Sequence, residues 1–284
     1  MDVEQILESA LAQTGVEGPF QFSATGGGDT AISVKIATKK RHLFAKLHEN
    51  ADILKKEAAG LGALSAFVLV PSVAFCGQIN GTGVLLMAFV PISPPVTRED
   101  WQELGDALAQ LHTRSRREGP YGFDHDNFIG AMPQRNQEMS AWRAFFVRQR
   151  LAPQLAMASD LSPAVRERVA AVMTDIDRFL PEAPPAALLH GDLWSGNLGL
   201  NSGAPVFYDP ACYYGDPQVD LAMMALFGKV PDNFYMAYQG RLPNSQERLS
   251  WGVYDLYHLL NHYNLFGAGY ADAVGRIADQ LLKY

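Results

Sequence analysis

The first ninety residues carry short runs in which hydrophobic and polar positions alternate, the pattern of strands with one buried face. Three such runs come before a segment with helical spacing, and two further strands, linked by GQINGTG, are predicted after it. The predicted strands are centred on 20–22, 32–36, 43–47, 72–76 and 83–89. A helix is predicted from Asn50 or Asp52, which can cap it, to about Ala66, and a short amphipathic helix over 3–12. This pattern predicts a compact α+β unit of five antiparallel strands with one inserted helix.

The remaining two thirds of the chain are mostly helical in pattern. The prolines of PISPP at 91–95 mark a boundary, because proline continues neither a strand ladder nor a helix. Beyond it, hydrophobic residues recur at helical spacing over 98–115, 137–156, 162–180, 217–227, 246–266 and 271–282. One turn-rich stretch interrupts the helices, with two short apolar runs at 187–189 and 206–208. We therefore expect a strand-rich lobe over 1–90 and a larger, mainly helical lobe over 91–284.

Composition and charge narrow the function classes. The 284 residues carry 23 Lys and Arg against 30 Asp and Glu, a formal net charge of −7. Because phosphate attraction supplies most non-specific affinity for nucleic acids, so acidic a chain is not expected to bind them. Cys76 and Cys212 have no zinc or disulfide spacing, and no apolar run could span a bilayer. We expect a cytoplasmic protein with no membrane partner, a monomer with a dimer as the alternative.

The candidate chemistry is concentrated in the turn-rich stretch. His190, Gly191 and Asp192 are followed by Asn197 at the Asp-to-Asn interval of the kinase catalytic loop. In that loop the Asp takes the proton of the substrate hydroxyl and the Asn holds a metal ion. Asp209 ends the run VFYD, where a strand delivers its side chain to a defined place. Carboxylate and amide oxygens suit a hard cation such as Mg²⁺.

A phosphoryl transferase also needs a cation and backbone amides near the phosphates. Lys46 lies inside the third predicted strand, and Glu57 follows on the next helix. A strand lysine paired with a helix glutamate is the arrangement by which kinases position phosphates. Upstream, Gly27 and Gly28 belong to a glycine turn whose amides could approach phosphate oxygens without interference from a Cβ.

Each feature also has a plainer interpretation. The glycine run could be an ordinary hairpin turn, Lys46 an edge-strand charge and Glu57 part of a solvated helix face. A dinucleotide-binding turn is rejected because a strand pattern, not a helix, follows the glycines. We predict that His190 is a structural residue that ties down its loop. The order of the five features along the chain favours the kinase interpretation.

Two blocks resemble the fructosamine kinase (ketosamine kinase) family, within the aminoglycoside phosphotransferase and choline kinase-like superfamily. They are LLHGDLWSGN at 188–197 and YDPACYYGDPQVDLAMMALFG at 208–228. GFDHDNFIGAMPQ at 122–134 and YHLLNHYNLFG at 257–267 also resemble that family, and a weaker collinear likeness covers 20–57. This sequence departs from the family pattern in two ways. Its glycine turn is slightly longer, and it lacks the cysteine that some eukaryotic members carry there.

The resemblance implies a two-lobed protein kinase-like fold that binds ATP and Mg²⁺ in its cleft. It implies Asp192 as catalytic base, Asn197 and Asp209 as metal ligands, Lys46 on the phosphates with Glu57 orienting it, Gly27 and Gly28 near the phosphates, and Ala88, Phe89 and Val90 as the adenine linker.

The resemblance further implies phosphorylation of a sugar hydroxyl on a ketosamine, which destabilises the adduct and reverses glycation. Candidate residues for the acceptor are Trp194, Asn127, Asp216 and His262. The Trp194 indole could offer an apolar face to a sugar ring, or it could simply pack in the core. Other acceptors (an aminoglycoside, a choline-like amine or a free sugar) and a nucleotide-binding pseudokinase remain as alternatives.

Overall fold

The computed structural model describes residues 2–25 and 31–284; the predicted glycine turn with Gly27 and Gly28 lies outside them. The first lobe holds one antiparallel sheet in the order β1-β2-β3-β5-β4. Its strands are β1 Phe20–Ala24, β2 Ile32–Thr38, β3 His42–His48, β4 Val73–Ile79 and β5 Thr82–Ala88. Helix α1 spans Val3–Gln13, and α2, Ala51–Leu64, follows β3. The predicted five-stranded sheet and its inserted helix are confirmed.

Alternation along β3 separates the two faces of the sheet. Leu43, Ala45 and Leu47 are buried in a small core that they share with the apolar side of α1. Phe44 and Lys46 project from the opposite face, since successive strand residues point to opposite sides. On that face Leu85 and Met87 of β5 belong to a larger core that continues into the second lobe. Lys46 is thereby directed at the cleft between the lobes.

The chain leaves β5 and pairs directly with the second lobe. Ser93 and Leu200 exchange two main-chain hydrogen bonds of 2.9 Å each, and the Asn201 amide donates to the Pro91 carbonyl at 2.7 Å. Gly199 allows this approach, because a Cβ there would lie 2.3 Å from Cγ2 of Ile92. The division at residue 90 stays a prediction.

The second lobe is mainly helical, as predicted. Its helices are α3 Arg98–Arg114, α4 Trp142–Phe145, α5 Ala152–Met157, α6 Pro163–Thr174, α7 Gln218–Leu226, α8 Asp232–Gln239, α9 Ser245–Phe266 and α10 Ala271–Leu282. A π-helical segment, Phe146–Leu151, joins α4 to α5. Three strand pairs complete it: β6 Asn127–Ile129 with β7 Met132–Gln134, β9 Leu198–Asn201 with β10 Ala204–Phe207, and β8 Ala187–Leu189 with β11 Tyr213–Gly215.

Tertiary pairing explains where the predicted element bounds are wrong. The helix predicted over 137–156 begins only at Trp142, because Met139 and Tyr121 exchange two main-chain hydrogen bonds and hold the chain extended. The helix predicted over 162–180 ends at Thr174. The eight-residue α8 and the hairpin of β6 and β7 were not predicted, since such short segments carry little periodicity. No helix among the described residues is long and apolar enough to cross a membrane.

Candidate active site

Lys46 joins two carboxylates that come from different lobes. Its Nζ lies 2.9 Å from Oε1 of Glu57 on α2 and 2.5 Å from Oδ1 of Asp209, which follows β10. The predicted Lys46–Glu57 ion pair is therefore present. The Lys46 side chain is only 10% exposed, so a lone ammonium there would be costly. The two carboxylates offset that cost and tie the sheet, α2 and the second lobe together.

The charges of this cluster depend on one another. Burial by itself lowers the pKa of Lys46, but the charges of Glu57 and Asp209 outweigh it and hold the pKa above its usual value. Burial raises the pKa of Glu57 to about 7; the Lys46 ammonium opposes this shift and the Asp209 carboxylate adds to it. The lysine thus stays a cation at neutral pH.

Asp192 and Asn197 face each other across a tight loop between β8 and β9. The Asn197 Nδ2 donates to the Asp192 carboxylate at 3.1 Å and to the Asp192 main-chain oxygen at 2.9 Å. Burial raises the pKa of Asp192 to about 7, the nearby Asp209 charge adds to the shift, and the Asn197 hydrogen bond opposes it. A carboxyl group with a pKa near working pH suits proton transfer.

A buried aspartate that the motif analysis missed holds the start of this loop. Asp220 on α7 accepts the main-chain N–H of His190 at 2.8 Å and of Gly191 at 2.9 Å, and His112 Nε2 lies 3.1 Å away. Burial raises the pKa of Asp220, but the His112 hydrogen bond and charge lead the contacts that bring it below its usual value. An acid inside the apolar run PQVDLAMMALF was the available signal.

The imidazole ring of His190 holds its loop in place, as predicted. Its Nε2 lies 2.9 Å from the Tyr208 carbonyl, which can only accept, so Nε2 carries the proton. Tyr208 directly precedes Asp209. The histidine therefore links the Asp192 loop to the strand that presents Asp209, and burial lowers the pKa of its imidazole.

The oxygen donors of Asn197 and Asp209 fit a hard cation. The Asp209 backbone has a φ of 57°, a left-handed conformation uncommon outside glycine, which turns its side chain toward Lys46 at the end of β10. Within the described residues, no three His, Cys, Asp or Glu side chains converge as a metal site. Two protein donors suit a Mg²⁺ ion that completes its shell with water and phosphate oxygens.

A cavity of about 830 Å³ lies beside the linker between the lobes. Phe89 lines it, and the Lys35 ammonium lies 4.1 Å above the Phe89 ring centroid. The N–H groups of Ala88 and Phe89 donate to the carbonyls of Ser72 and His42. Of the three predicted linker residues, Val90 is the one whose main-chain N–H is not used in these two hydrogen bonds.

The four candidate acceptor residues lie in different environments. Trp194 is 39% exposed beside the Asp192 loop, its ring packed so closely on Gly196 that a Cβ there would lie 2.3 Å away. Asn127 is buried and bonded to the Cys212 carbonyl, and the two Asp216 oxygens accept from Tyr254 and Gln218. His262 lies against the Phe227 ring with 4.7 Å between centroids.

The cleft between the lobes brings together a strand lysine, its helix glutamate, an Asp-Asn loop and a second aspartate. These features define a phosphotransferase of the protein kinase-like class. A thermostable aminoglycoside phosphotransferase mutant, solved with ADP and hygromycin B, shares this fold: TM-score 0.66, 16% identity, coverage of 100% of this chain and 98% of that one.

The fructosamine kinase family model matches residues 3–284, and the chain belongs to that family. A probable ketoamine kinase of Vibrio parahaemolyticus is 33% identical over 273 residues, 91% of each chain. A chloroplastic protein-ribulosamine 3-kinase of Arabidopsis thaliana is 32% identical, covering 100% of this chain and 89% of that one. A crystal structure assigned as a fructosamine-3-kinase of Thermobifida fusca has a TM-score of 0.88 at 29% identity, covering 99% of this chain and 100% of that one.

Proposed function

We propose that this protein transfers the γ-phosphoryl group of ATP to a sugar hydroxyl of a ketosamine, an adduct between a sugar and an amine. The single observation that carries the proposal is the contact of Lys46 with both Glu57 and Asp209 at the cleft. Such a contact brings the phosphate-binding lysine and a metal-binding carboxylate together across the two lobes. The ketoamine and ribulosamine kinase relatives support the choice of acceptor class.

Asp192 is proposed as the base. Its carboxylate takes the proton of the acceptor hydroxyl as that oxygen bonds to the γ-phosphorus and the bond to the β-phosphate oxygen breaks. A pKa of about 7 leaves a substantial fraction of Asp192 ionised at neutral pH. Asn197 holds the carboxylate in place through the 3.1 Å hydrogen bond. The proton passes from Asp192 to solvent after the transfer.

The remaining groups bind and orient ATP. Asn197 and Asp209 are proposed to hold Mg²⁺, which when bound neutralises charge on the phosphates. Lys46 contacts the phosphates, and Glu57 keeps its ammonium in position. Gly27 and Gly28 are proposed to give their amides to the phosphates.

The linker and the loop tryptophan complete the proposed site. Val90 would donate its N–H to the adenine ring, with Ala88 and Phe89 forming the wall beside it. Trp194, half exposed beside Asp192, is proposed to pack against the sugar ring of the acceptor. We propose two functional units, residues 1–90 and 91–284, in a cytoplasmic protein that acts as a monomer on small molecules and not on nucleic acids.

An acceptor panel tests the function. Purified protein is incubated with Mg·ATP and, separately, a fructosamine and a ribulosamine of lysine, the parent free sugars, an aminoglycoside and choline. ADP release gives the rates, and ³¹P NMR of the products identifies the phosphorylated hydroxyl. We expect the ketosamines to have the highest kcat/KM. A higher kcat/KM for an aminoglycoside, choline or free sugar would assign another acceptor, and no ADP release with any acceptor would indicate a pseudokinase.

A further inference from the structure

The segment that follows Asp209 is clamped from two sides. On one side lies α2, where a Cβ on Gly60 would lie 3.0 Å from Cγ of Pro210 and 3.5 Å from Sγ of Cys212. The same helix carries Glu57. Asp209 lies three residues before Cys212 in the chain. The position of this segment against α2 therefore sets how the Asp209 carboxylate meets Lys46.

Two buried side-chain amides hold the segment from the opposite side. The Gln134 Nε2 donates to the Ala211 carbonyl at 2.9 Å, and the Asn127 Nδ2 donates to the Cys212 carbonyl at 2.8 Å. Both come from the β6–β7 hairpin, and both residues are at most 5% exposed. These carbonyls lie two and three residues after Asp209. Because a carbonyl oxygen only accepts, each side-chain amide must present its nitrogen to the segment.

A further layer of hydrogen bonds determines the orientation of both amides. The Asn127 oxygen accepts from Gln134 at 2.8 Å and from Asn136 at 2.9 Å. The Tyr257 hydroxyl donates to Oε1 of Gln134 at 2.7 Å. A flipped Gln134 amide would set its oxygen against two other acceptors, the Ala211 carbonyl and Oδ1 of Asn127. The network is thus satisfied in one orientation only.

A buried arginine from the π-helical segment secures the outer end of the network. The Arg150 guanidinium donates to Oδ1 of Asn136 at 2.7 Å and to the Arg135 carbonyl. The central carbon of this guanidinium, Cζ, lies 3.8 Å from the Tyr213 ring centroid. No carboxylate among the described residues forms an ion pair with Arg150. A buried cation held by oxygen dipoles and aromatic rings in place of a carboxylate is uncommon, and π-helical turns are frequent near functional sites.

We infer that Gln134 and Asn127 are positioning residues for the phosphoryl transfer. Through their hydrogen bonds to the Ala211 and Cys212 carbonyls, they fix the position in which the Asp209 carboxylate binds its metal ion. The inference rests on the proposed function, since it takes Asp209 as a metal ligand. Residues that orient metal ligands affect metal affinity when they are lost, even without touching the ion. This assigns to Asn127 a role through the protein backbone and not through contact with the acceptor.

Nucleotide binding with and without metal tests the inference. We compare the Kd of ADP, by calorimetry, in excess Mg²⁺ and in EDTA for wild type, Gln134→Leu and Tyr257→Phe. We expect the Mg²⁺-dependent gain in affinity to fall about tenfold in Gln134→Leu and by a smaller factor in Tyr257→Phe. The Kd in EDTA should stay unchanged in both. If Gln134→Leu does not fold, Tyr257→Phe, which removes a single oxygen, decides the result.

Tyr121→Phe is the matched control. Its hydroxyl is also buried and also donates a 2.7 Å hydrogen bond, to the Pro184 carbonyl, without touching the network. We expect Tyr121→Phe to lower the Tm while it preserves the Mg²⁺-dependent gain. Equal gains in wild type and both network variants would overturn the inference, as would an equal loss in Tyr121→Phe. An absence of Mg²⁺-dependent ADP binding in wild type would instead overturn the proposed function.

Discussion

The Asn197 side chain donates one hydrogen bond to the Asp192 carboxylate at 3.1 Å and another to the Asp192 main-chain oxygen at 2.9 Å. Asn197 thereby holds both the backbone and the carboxylate of Asp192 in a single geometry. The Asp209 charge lies close enough to raise the pKa of that carboxyl. The proposed base is therefore linked to one proposed metal ligand by hydrogen bonds and to the other by charge.

Replacing the base should separate turnover from nucleotide binding. We expect Asp192→Asn to lower kcat by about 10²–10⁴-fold, the usual contribution of a positioned general base. The Kd of Mg·ADP should not rise, because Asn197 and Asp209 keep their oxygen donors. ADP release measures the first quantity and calorimetry the second. A near-wild-type rate in Asp192→Asn would remove Asp192 from the mechanism.

The rate should depend on pH through the same carboxyl. A base must be ionised to accept a proton, and burial raises the pKa of Asp192 to about 7. We therefore expect kcat/KM to fall about tenfold for each pH unit below 7 and to level off above it. Initial rates between pH 5.5 and 9 measure this. A flat profile in that range would contradict the assignment, and the residual rate of Asp192→Asn should lack the acid limb.

The glutamate on α2 should act on ATP and not on the acceptor. Glu57→Gln removes one of the two negative charges that hold Lys46, so the ammonium is left to Asp209 alone. We expect kcat/KM for ATP to fall about tenfold, the effect of losing one charge-assisted hydrogen bond, with the acceptor KM unchanged. Glu103→Gln, an exposed glutamate on α3, is the control and should leave both constants unchanged. A selective rise in the acceptor KM would contradict this role.

The exposed tryptophan beside the base should act on the acceptor. Trp194→Ala removes the proposed aromatic face, and an aromatic contact contributes about 1 kcal/mol. We expect the acceptor KM to rise about fivefold with the ATP KM unchanged. Trp194→Phe keeps a ring at this position and should recover most of the affinity. Equal acceptor KM values for wild type and Trp194→Ala would show that the indole only packs on Gly196.

A partly buried carboxyl on α9 should make stability depend on pH. Oδ1 of Asp255 on α9 is closed to solvent with no hydrogen-bond partner among the described residues, and burial raises the pKa of Asp255 to about 8. A raised carboxyl pKa stabilises the protonated protein, so this contribution is lost as pH rises from about 4 to 8.

Asp255→Asn should therefore raise the Tm relative to wild type at pH 8–9, with a much smaller difference near pH 4. Thermal unfolding across that range measures the effect. Asp106→Asn, an exposed aspartate on α3, is the control and should show no such trend. A Tm difference that does not vary with pH would contradict the prediction.

Local pattern was sufficient to predict the Lys46–Glu57 pair. Alternation placed Lys46 on a face opposite Leu43 and Ala45, and the next helix begins only a few residues later. A short connection leaves few arrangements for a strand and the following helix, so their side chains meet as expected. The first helix was predictable because its buried residues recur at helical spacing, and the fifth strand because it is a short continuous apolar run, buried on both faces.

Motif spacing located Asp192, Asn197 and Asp209, but not what holds them. Asp220 supports the loop from α7, and Gln134 supports the Asp209 segment from a three-residue strand. Each forms hydrogen bonds with main-chain groups many positions away in the chain. Such long-range contacts produce no periodic pattern in the sequence.

The one-dimensional pattern of residues is thus enough for the two-part architecture, the five strands and the order of the chemical groups, because these depend on near neighbours and hydrophobic period. The contact of Lys46 with Asp209, which are 163 residues apart, arises only once the lobes pack together. The raised pKa of Asp192 and the buried network around Gln134 arise in the same way, since burial and hydrogen bonding depend on which distant segments meet.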